Sequence, residues 1–248
     1  MAERYYCPEG VSGATAVLAA DEAAHLARVS RLGVGAVVEV FDGKGLARRA
    51  EVLEVARNRV VLRLDGDPLP ERAAVLELTL AVAVPKGERF DWLVEKATEL
   101  GVVRLVPLLC ERSVVDPRDA KLERLRRLVV EASKQSRRDR LMSIEKPVRW
   151  ADFLGSKAVL EAHAKLAAHP GGATCSDWPA IAAGARVVAA VGPEGGFTTS
   201  EIDAARASGW TIVSLGATIL RIETAGLALA VAVAARVEPT TSPAHGAI

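Results

Sequence analysis

Five apolar residues in a row, Val187-Val188-Ala189-Ala190-Val191, stop abruptly at Gly192-Pro193-Glu194-Gly195-Gly196-Phe197. An apolar run without polar alternation suits a strand inside a parallel sheet covered on both faces. Thr198, with Glu201 three residues on, forms a capping box that opens a helix. Gly209 closes that helix, and residues 211–215 read as the next strand. Strand, glycine loop, capped helix and strand together restrict this part of the chain to an α/β architecture.

The same rhythm extends upstream to about Val75. Residues 78–84 are strand-like and stop at Pro85-Lys86-Gly87; Phe90, Leu93, Ala97 and Leu100 then recur at helical spacing, and Gly101 sits at a helix C-terminal position. Residues 102–109 are a second strand. Leu122, Leu125, Leu128, Val129 and Ala132 mark one face of a basic helix. The segment 150–180 is harder to read, with a strand placed at Val159-Leu160-Glu161. The last helix begins near Glu223 and carries Ala, Leu and Val on all sides, which implies deep burial.

Residues 1–74 follow a different rule. Val37-Val38-Glu39-Val40-Phe41 ends at the turn Asp42-Gly43-Lys44-Gly45, and two further short strands flank Arg57-Asn58-Arg59. One helix, around residues 21–29, interrupts them. Short strands with a single helix predict a small barrel-like β domain, and Asp65-Gly66-Asp67-Pro68-Leu69-Pro70 reads as the linker out of it. The predicted boundaries are 1–70 for the β domain, 71–238 for the α/β domain, and 239–248 for a Pro/Thr/Ser-rich disordered tail.

Net charge is only +1, but its distribution is uneven: residues 112–149 hold twelve Lys/Arg against six Asp/Glu, while residues 1–74 hold ten against eleven. A local basic patch attracts polyanions without raising the total, although a solvated helix face produces the same count. Cys7, Cys110 and Cys175 have neither metal-ligand spacing nor an even number, so reduced thiols in a cytoplasmic protein are expected. Residues 225–235, the longest apolar stretch, are too few to span a bilayer. No metal site is expected from the scattered histidines.

Three segments can carry chemistry. Glycines after a buried strand let the backbone approach a ligand, at the strand ends where open α/β sheets bind one; a tight bend alone needs them too. The spacing is neither a dinucleotide fingerprint nor a P-loop. Arg221-Ile222-Glu223-Thr224 precedes the last helix. Glu223 and Thr224 can serve helix initiation, whereas Arg221 needs either a salt bridge or a ligand. Lys134-Gln135-Ser136-Arg137-Arg138-Asp139-Arg140 places four cations at the end of the basic helix, more than the helix dipole calls for.

In order along the chain, these segments resemble the RsmE family, bacterial enzymes of the SPOUT class that methylate N3 of a uridine in 16S rRNA. The resemblance rests on His25-Leu26-Ala27-Arg28-Val29-Ser30-Arg31-Leu32, Phe41-Asp42-Gly43 and Lys86-Gly87. It continues through Glu95-Lys96-Ala97-Thr98-Glu99-Leu100-Gly101-Val102, Pro107, Glu111-Arg112-Ser113 and Glu131-Ala132-Ser133-Lys134-Gln135-Ser136. It ends at the Gly192–Phe197 loop and Leu220-Arg221-Ile222-Glu223-Thr224-Ala225. The chain departs from the family pattern at Arg137, where Gly is frequent, at Met142, where Pro is usual, at Ile222, a common Thr, and at Glu161-Ala162-His163.

The resemblance implies an N-terminal PUA-like RNA-binding domain, a SPOUT domain with a deep trefoil knot, a homodimer, and the cofactor S-adenosyl-L-methionine. It further implies a 16S rRNA partner within the 30S subunit. By the same resemblance, Leu160, Gly192, Pro193, Glu194, Gly195, Gly196, Leu215, Gly216, Ile219 and Leu220 would hold the cofactor. Arg221 and Arg138 would stabilise charge, with Arg138 reaching across the dimer, and Glu223 would act as base or as a helix-start residue. Arg28, Arg31, Lys134, Gln135, Arg137, Arg138 and Arg140 would contact RNA. Three alternatives stay open: a related enzyme acting on transfer RNA, a non-catalytic ribosome-assembly factor, and a small-molecule α/β enzyme with a merely solvated basic helix.

Overall fold

The computed structural model describes residues 2–71, 76–115 and 122–237; the tail predicted to be disordered lies outside them. The chain forms two compact units, Met1–Ala73 with Val129–Leu141, and Ala74–Leu128 with Met142–Ile248.

In the first unit, β1 (Arg4–Tyr6), β2 (Thr15–Ala19), β3 (Val37–Phe41), β4 (Ala47–Ala56) and β5 (Arg59–Asp65) form one sheet in the order β1-β3-β4-β5-β2. β1 runs parallel to β3 and the other pairings are antiparallel. Alternation does the sorting along β5, where Val60, Leu62 and Leu64 turn inward and join Tyr5, Leu18, Leu26 and Val52 in one core. The expected single helix is two pieces, α1 (Ala20–Ala24) and a π-helical turn over His25–Val29 closed by Ser30 N–H to the His25 carbonyl. Asp42 Oδ1 accepts from the N–H groups of Lys44 and Leu46 at 2.7 and 3.0 Å, which fixes the turn read from Asp42-Gly43.

The residues 129–141 that belong to this unit hold four of the twelve cations of the predicted basic patch, and three of these pair with carboxylates of the same unit. Lys134 is buried and its Nζ donates to Glu22 and Glu131 at 2.9 and 2.8 Å. Burial works to lower its pKa, but those two hydrogen bonds outweigh it and the net shift is upward, so the ammonium stays charged and inward. This corrects its assignment as an RNA contact. Arg137 pairs with Glu39 at 3.3 Å, and Arg140 with Glu71. Buried Arg4 stands between Glu39 and Asp139, with its guanidinium 4.2 Å from the Phe41 ring centre. Arg137 adopts φ +58°, a left-handed conformation that favours glycine, which accounts for the glycine frequent in the family pattern at that position and makes the arginine the costlier choice.

The second unit is a parallel sheet. β6 (Glu77–Ala83), β7 (Arg104–Leu109), β8 (Ser143–Ile144), β9 (Val148–Arg149), β10 (Ala164–Ala173), β11 (Arg186–Val191) and β12 (Thr211–Val213) lie in the order β12-β10-β11-β6-β7, with β8 and β9 both on β7. The helix α2 (Arg89–Glu99) packs on α7 (Ile222–Ala234), which also rests on β6 and β11. α4 (Trp150–Leu154) and α6 (Thr199–Ala207) share a second core with Ala167, Val188 and Ala190. The basic helix, α3 (Leu122–Ser136), starts in this unit and ends in the other. Among the described residues no helix is long and apolar enough to cross a membrane.

One strand sits elsewhere than expected. Val159 and Leu160 belong to α5 (Lys157–Leu160), and the strand is β10. Its alanines favour helix by propensity; pairing with β11 on one side and β12 on the other overrides that preference. β10 also bows out between Ala168 and Ala173, both of which pair with Val213.

Candidate active site

A cleft of about 630 Å³ opens where β11 and β12 end beside the bow of β10. Three loops line it: Ala168-His169-Pro170 in the bow of β10, Val191 through Phe197 after β11, and Ser214 through Arg221 after β12. Adjacent parallel strands ending on the same side present their loops to a single ligand, as the sheet topology requires.

The loop after β11 is held from several directions. A Cβ at Gly192 would come within 3.0 Å of the Phe197 backbone nitrogen and ring, so a larger residue there would have to push Phe197 aside. Gly196 takes φ +69° and donates to the Pro193 carbonyl at 2.8 Å; of the three glycines it alone needs a positive φ. Phe197 packs on Trp150, with ring centres 4.7 Å apart. The expected capping box is present: Thr198 N–H donates to Glu201 Oε2 at 2.8 Å and the Thr198 hydroxyl accepts from the Glu201 N–H. The other Glu201 oxygen takes the Glu111 N–H at 2.9 Å, and neighbouring Arg112 donates to the Gly195 carbonyl at 2.7 Å. A loop tied down in this way meets a ligand without the cost of ordering itself.

The loop after β12 is tied at its start by Ser214 N–H to the Ala173 carbonyl, 2.8 Å. Gly216 takes φ +127°. Ile219 is 92 % exposed, an unusual position for a β-branched apolar residue unless something covers it. Arg221 stands as N-cap of α7 with no side-chain capping bond, and its side chain is exposed at the cleft.

Gly192, Pro193, Glu194, Gly195, Gly196, Leu215, Gly216, Ile219, Leu220 and Arg221 therefore meet around one cavity. Leu160 does not, and its assignment is corrected. At the end of α5 it faces a different groove of about 1070 Å³ with Leu154, Lys165 and Ser208. Its place in the cleft is taken by Ala168, His169 and Pro170, and Arg112 joins them. Arg112 lay in a motif, but nothing local marked it as a site residue, since its role is to reach Gly195 across 83 positions. Cys110 borders the 1070 Å³ groove; burial, with Glu201 nearby, pushes its thiol up to about 12, so it stays protonated at neutral pH. Among the described residues no group of three or more His, Cys, Asp or Glu could hold a metal ion.

The expected RNA contacts fall in the first unit. Arg28, Arg31 and Gln135 are exposed. Arg31, at φ +54° just after the π-helical turn, shows the kind of local irregularity that clusters at functional positions. Arg138 is half-buried, and loss of solvent lowers its pKa; it is not among the residues lining the cleft.

Two family models match the chain. Residues 71–234 match the family model for an RNA methyltransferase domain, and residues 18–65 match that for an RNA methyltransferase PUA domain. A ribosomal RNA small subunit methyltransferase E from Synechocystis is 36 % identical over 225 residues, covering 88 % of this chain and 72 % of that protein. The crystal structure of a ribosomal RNA small subunit methyltransferase E from Neisseria gonorrhoeae bound to S-adenosyl methionine superposes with a TM-score of 0.83 at 30 % identity, covering 94 % and 96 % of the two chains. A putative methyltransferase from Legionella pneumophila, solved with bound SAM, gives a TM-score of 0.85 at 28 % identity, covering 95 % and 98 %. The chain thus shares the fold of these solved methyltransferases and belongs to the RNA methyltransferase family, among the ribosomal RNA small subunit methyltransferases E.

Proposed function

We propose that this protein transfers the methyl group of S-adenosyl-L-methionine to N3 of a uridine in 16S rRNA of the 30S subunit, as a cytoplasmic homodimer whose SPOUT domain is knotted. The observation that carries this reading is the cleft itself: three strand-end loops, glycine where the backbone must come close, an apolar wall of Leu215, Ile219 and Leu220, and Arg221 at its edge. The donor fits this cradle in size and chemistry, since the cleft encloses about 630 Å³ and presents Leu215, Leu220 and the exposed Ile219 to an apolar ligand face, whereas the glycines at 192 and 195 answer Phe197 and Arg112 within the protein. When bound, it supplies an electrophilic methyl group on a sulfonium.

The chain's own work is alignment and charge. Holding two reactants in line accounts for roughly 7–11 kcal/mol of a barrier. As uridine N3 loses its proton, negative charge spreads to O2 and O4, and a cation aimed there is more effective in the transition state than in the ground state. Arg221, exposed at the cleft, is the first cation of this reading. Arg138 of the partner subunit is the second cation of this reading. Gly195→Val protein is expected to bind S-adenosylmethionine at least about tenfold more weakly, roughly 1.4 kcal/mol; unchanged affinity by titration calorimetry counts against the placement.

RNA recognition is assigned to the first unit. Single-stranded or splayed uridine is expected, since pairing hides its N3 edge. Removing Arg28 and Arg31 should reduce the slope of log affinity against log salt by about 0.7–0.9 for each phosphate that is no longer neutralised. Lys134→Ala should leave that slope alone and lower the melting temperature, because Lys134 answers Glu22 and Glu131. Incubation with unmethylated 30S subunits, free 16S rRNA and transfer RNA, followed by mass-spectrometric mapping, tests the whole reading: label confined to transfer RNA, or none at all, rejects it.

A further inference from the structure

Beside the cleft, and sharing Ile219, Leu220 and Arg221 with it, lies a recess of about 500 Å³. Its other walls are Arg89, Trp92, Glu223 and Thr224, contributed by α2 and the first turn of α7. Trp92 is 46 % exposed there. Glu223 is the unusual member. Its side chain is only 9 % exposed, one oxygen lies 3.8 Å from Arg89 Nε, and the other, Oε2, is buried with no hydrogen-bond partner among the described residues. As the acidic residue in the first turn of α7 it favours the helix dipole. That role supplies no donor to its buried Oε2. A buried carboxylate oxygen without a partner carries a large desolvation cost, and its retention beside a cleft points to a ligand that supplies the missing donor.

The recess offers one carboxylate acceptor, two guanidinium groups that can only donate, and an aromatic wall. The imide edge of uracil is the complement, with one N–H donor at N3 between two carbonyl acceptors. Cytosine presents one donor and two adjacent acceptors, so it would set its N3 lone pair against the carboxylate. Guanine adds a second donor where a guanidinium stands. Resting on the methyltransferase reading above, we infer that this recess receives the target base and reads it as uracil: Trp92 forms the stacking wall, Arg89 and Arg221 address the two carbonyl oxygens, and Glu223 Oε2 accepts the N3 proton. The proton passes to the carboxylate as the N3 lone pair bonds to the methyl carbon, and the pair of the broken S–CH3 bond returns to sulfur. Glu223 ends protonated, the base neutral and the sulfur uncharged. Arg89 is a specificity residue that the sequence reading did not single out.

The experiment measures single-turnover methylation of 30S substrate carrying uridine or cytidine at the target position, alongside S-adenosylmethionine affinity and sedimentation. Parental protein is expected to prefer uridine by about 10²-fold or more. Glu223→Gln should slow uridine methylation about 10²–10⁴-fold with cofactor affinity unchanged. It should also narrow the uridine-to-cytidine ratio, because an amide can donate to cytosine N3. Trp92→Ala should raise KM about 5- to 150-fold, the range for losing one stacked base, and Trp92→Phe should restore most of it. Parental methylation with Glu223→Gln or Trp92→Ala at the parental kcat/KM overturns the base pocket while leaving the methyltransferase reading intact. Dissociation of Trp92→Ala into monomers makes Trp92 a subunit contact and overturns the stacking wall. Failure of parental protein to methylate or to bind the cofactor rejects the methyltransferase reading itself.

Discussion

Arg221→Ala protein is expected to methylate its RNA about 10²–10³-fold more slowly, the usual effect of removing one electrostatic donor from a transition state, while cofactor affinity changes little. The expectation comes from where Arg221 stands. It precedes α7 with extended backbone, its side chain makes no capping bond, and it is exposed at the junction of the cleft and the smaller recess. A structural arginine would be matched by a carboxylate; the nearby buried carboxylate, Glu223, is instead within ion-pair reach of Arg89. Charge on O2 or O4 of the base appears only as N3 is deprotonated and attacked, so the loss should fall on kcat and kcat/KM together rather than on KM alone. Turnover at the parental rate, measured with saturating cofactor, removes Arg221 from the chemistry.

Gly172→Ala should be the most damaging small substitution in the α/β unit. Gly172 has no positive φ, so conformation does not explain it; space does. A Cβ there would lie 2.5 and 2.7 Å from Val213 N and Cα, and closer still to the Val213 carbonyl carbon. These are backbone atoms of a neighbouring strand that cannot swing away as a side chain would. Overpacking of this sort costs about 1–3 kcal/mol and occasionally more, and a clash with backbone belongs at the top of that range. A loss of about 3 kcal/mol corresponds to a fall of about 6–12 °C in melting temperature for a chain of this size. Because the bow of β10 also presents His169 and Pro170 to the cleft, cofactor affinity should fall with stability. Gly171→Ala is the control. Its Cβ would meet only the His169 ring, at 3.6 Å, an ordinary contact, and its melting temperature should stay within about 3 °C of the parent. Equal melting temperatures for the two variants would show that β10 and β12 are not locked at this point.

The region around β11 was legible because each of its signals is local. The apolar run, the glycine loop and the Thr198–Glu201 box act within a few residues of one another, and each recurs in the structure as read. The hairpin strands of the first unit were legible for the same reason, through alternation and the Asp42-Gly43 turn. β10 was not. A run such as Ala164-Lys165-Leu166-Ala167-Ala168 has helix-forming composition, and only its two parallel neighbours make it a strand. Placing the strand at Leu160 put the wrong residue in the cleft, and the misplaced strand accounts for the whole of that difference.

The basic patch shows the same limit in charge. Counting cations over 112–149 takes every lysine and arginine as solvent-facing, yet Lys134, Arg137 and Arg140 answer Glu22, Glu39 and Glu71, residues 69 to 112 positions away. Likewise, Glu223 next to a helix start reads as a helix-initiating residue until its side chain is seen buried with Oε2 unpartnered, beside an arginine and a tryptophan from α2.

By itself, then, the sequence determined what nearest neighbours along the chain can settle: an α/β architecture, a small β unit before it, the capped glycine loop, and the family whose motifs run in this order. Tertiary structure alone decided which charges remain available, which alanine-rich segment becomes a strand, and which residues from α2, the loop after β12 and α7 share a cavity. The reason is physical. Pairing partners and the loss of solvent are properties of interactions between distant residues, and no window along the chain contains both sides of such an interaction.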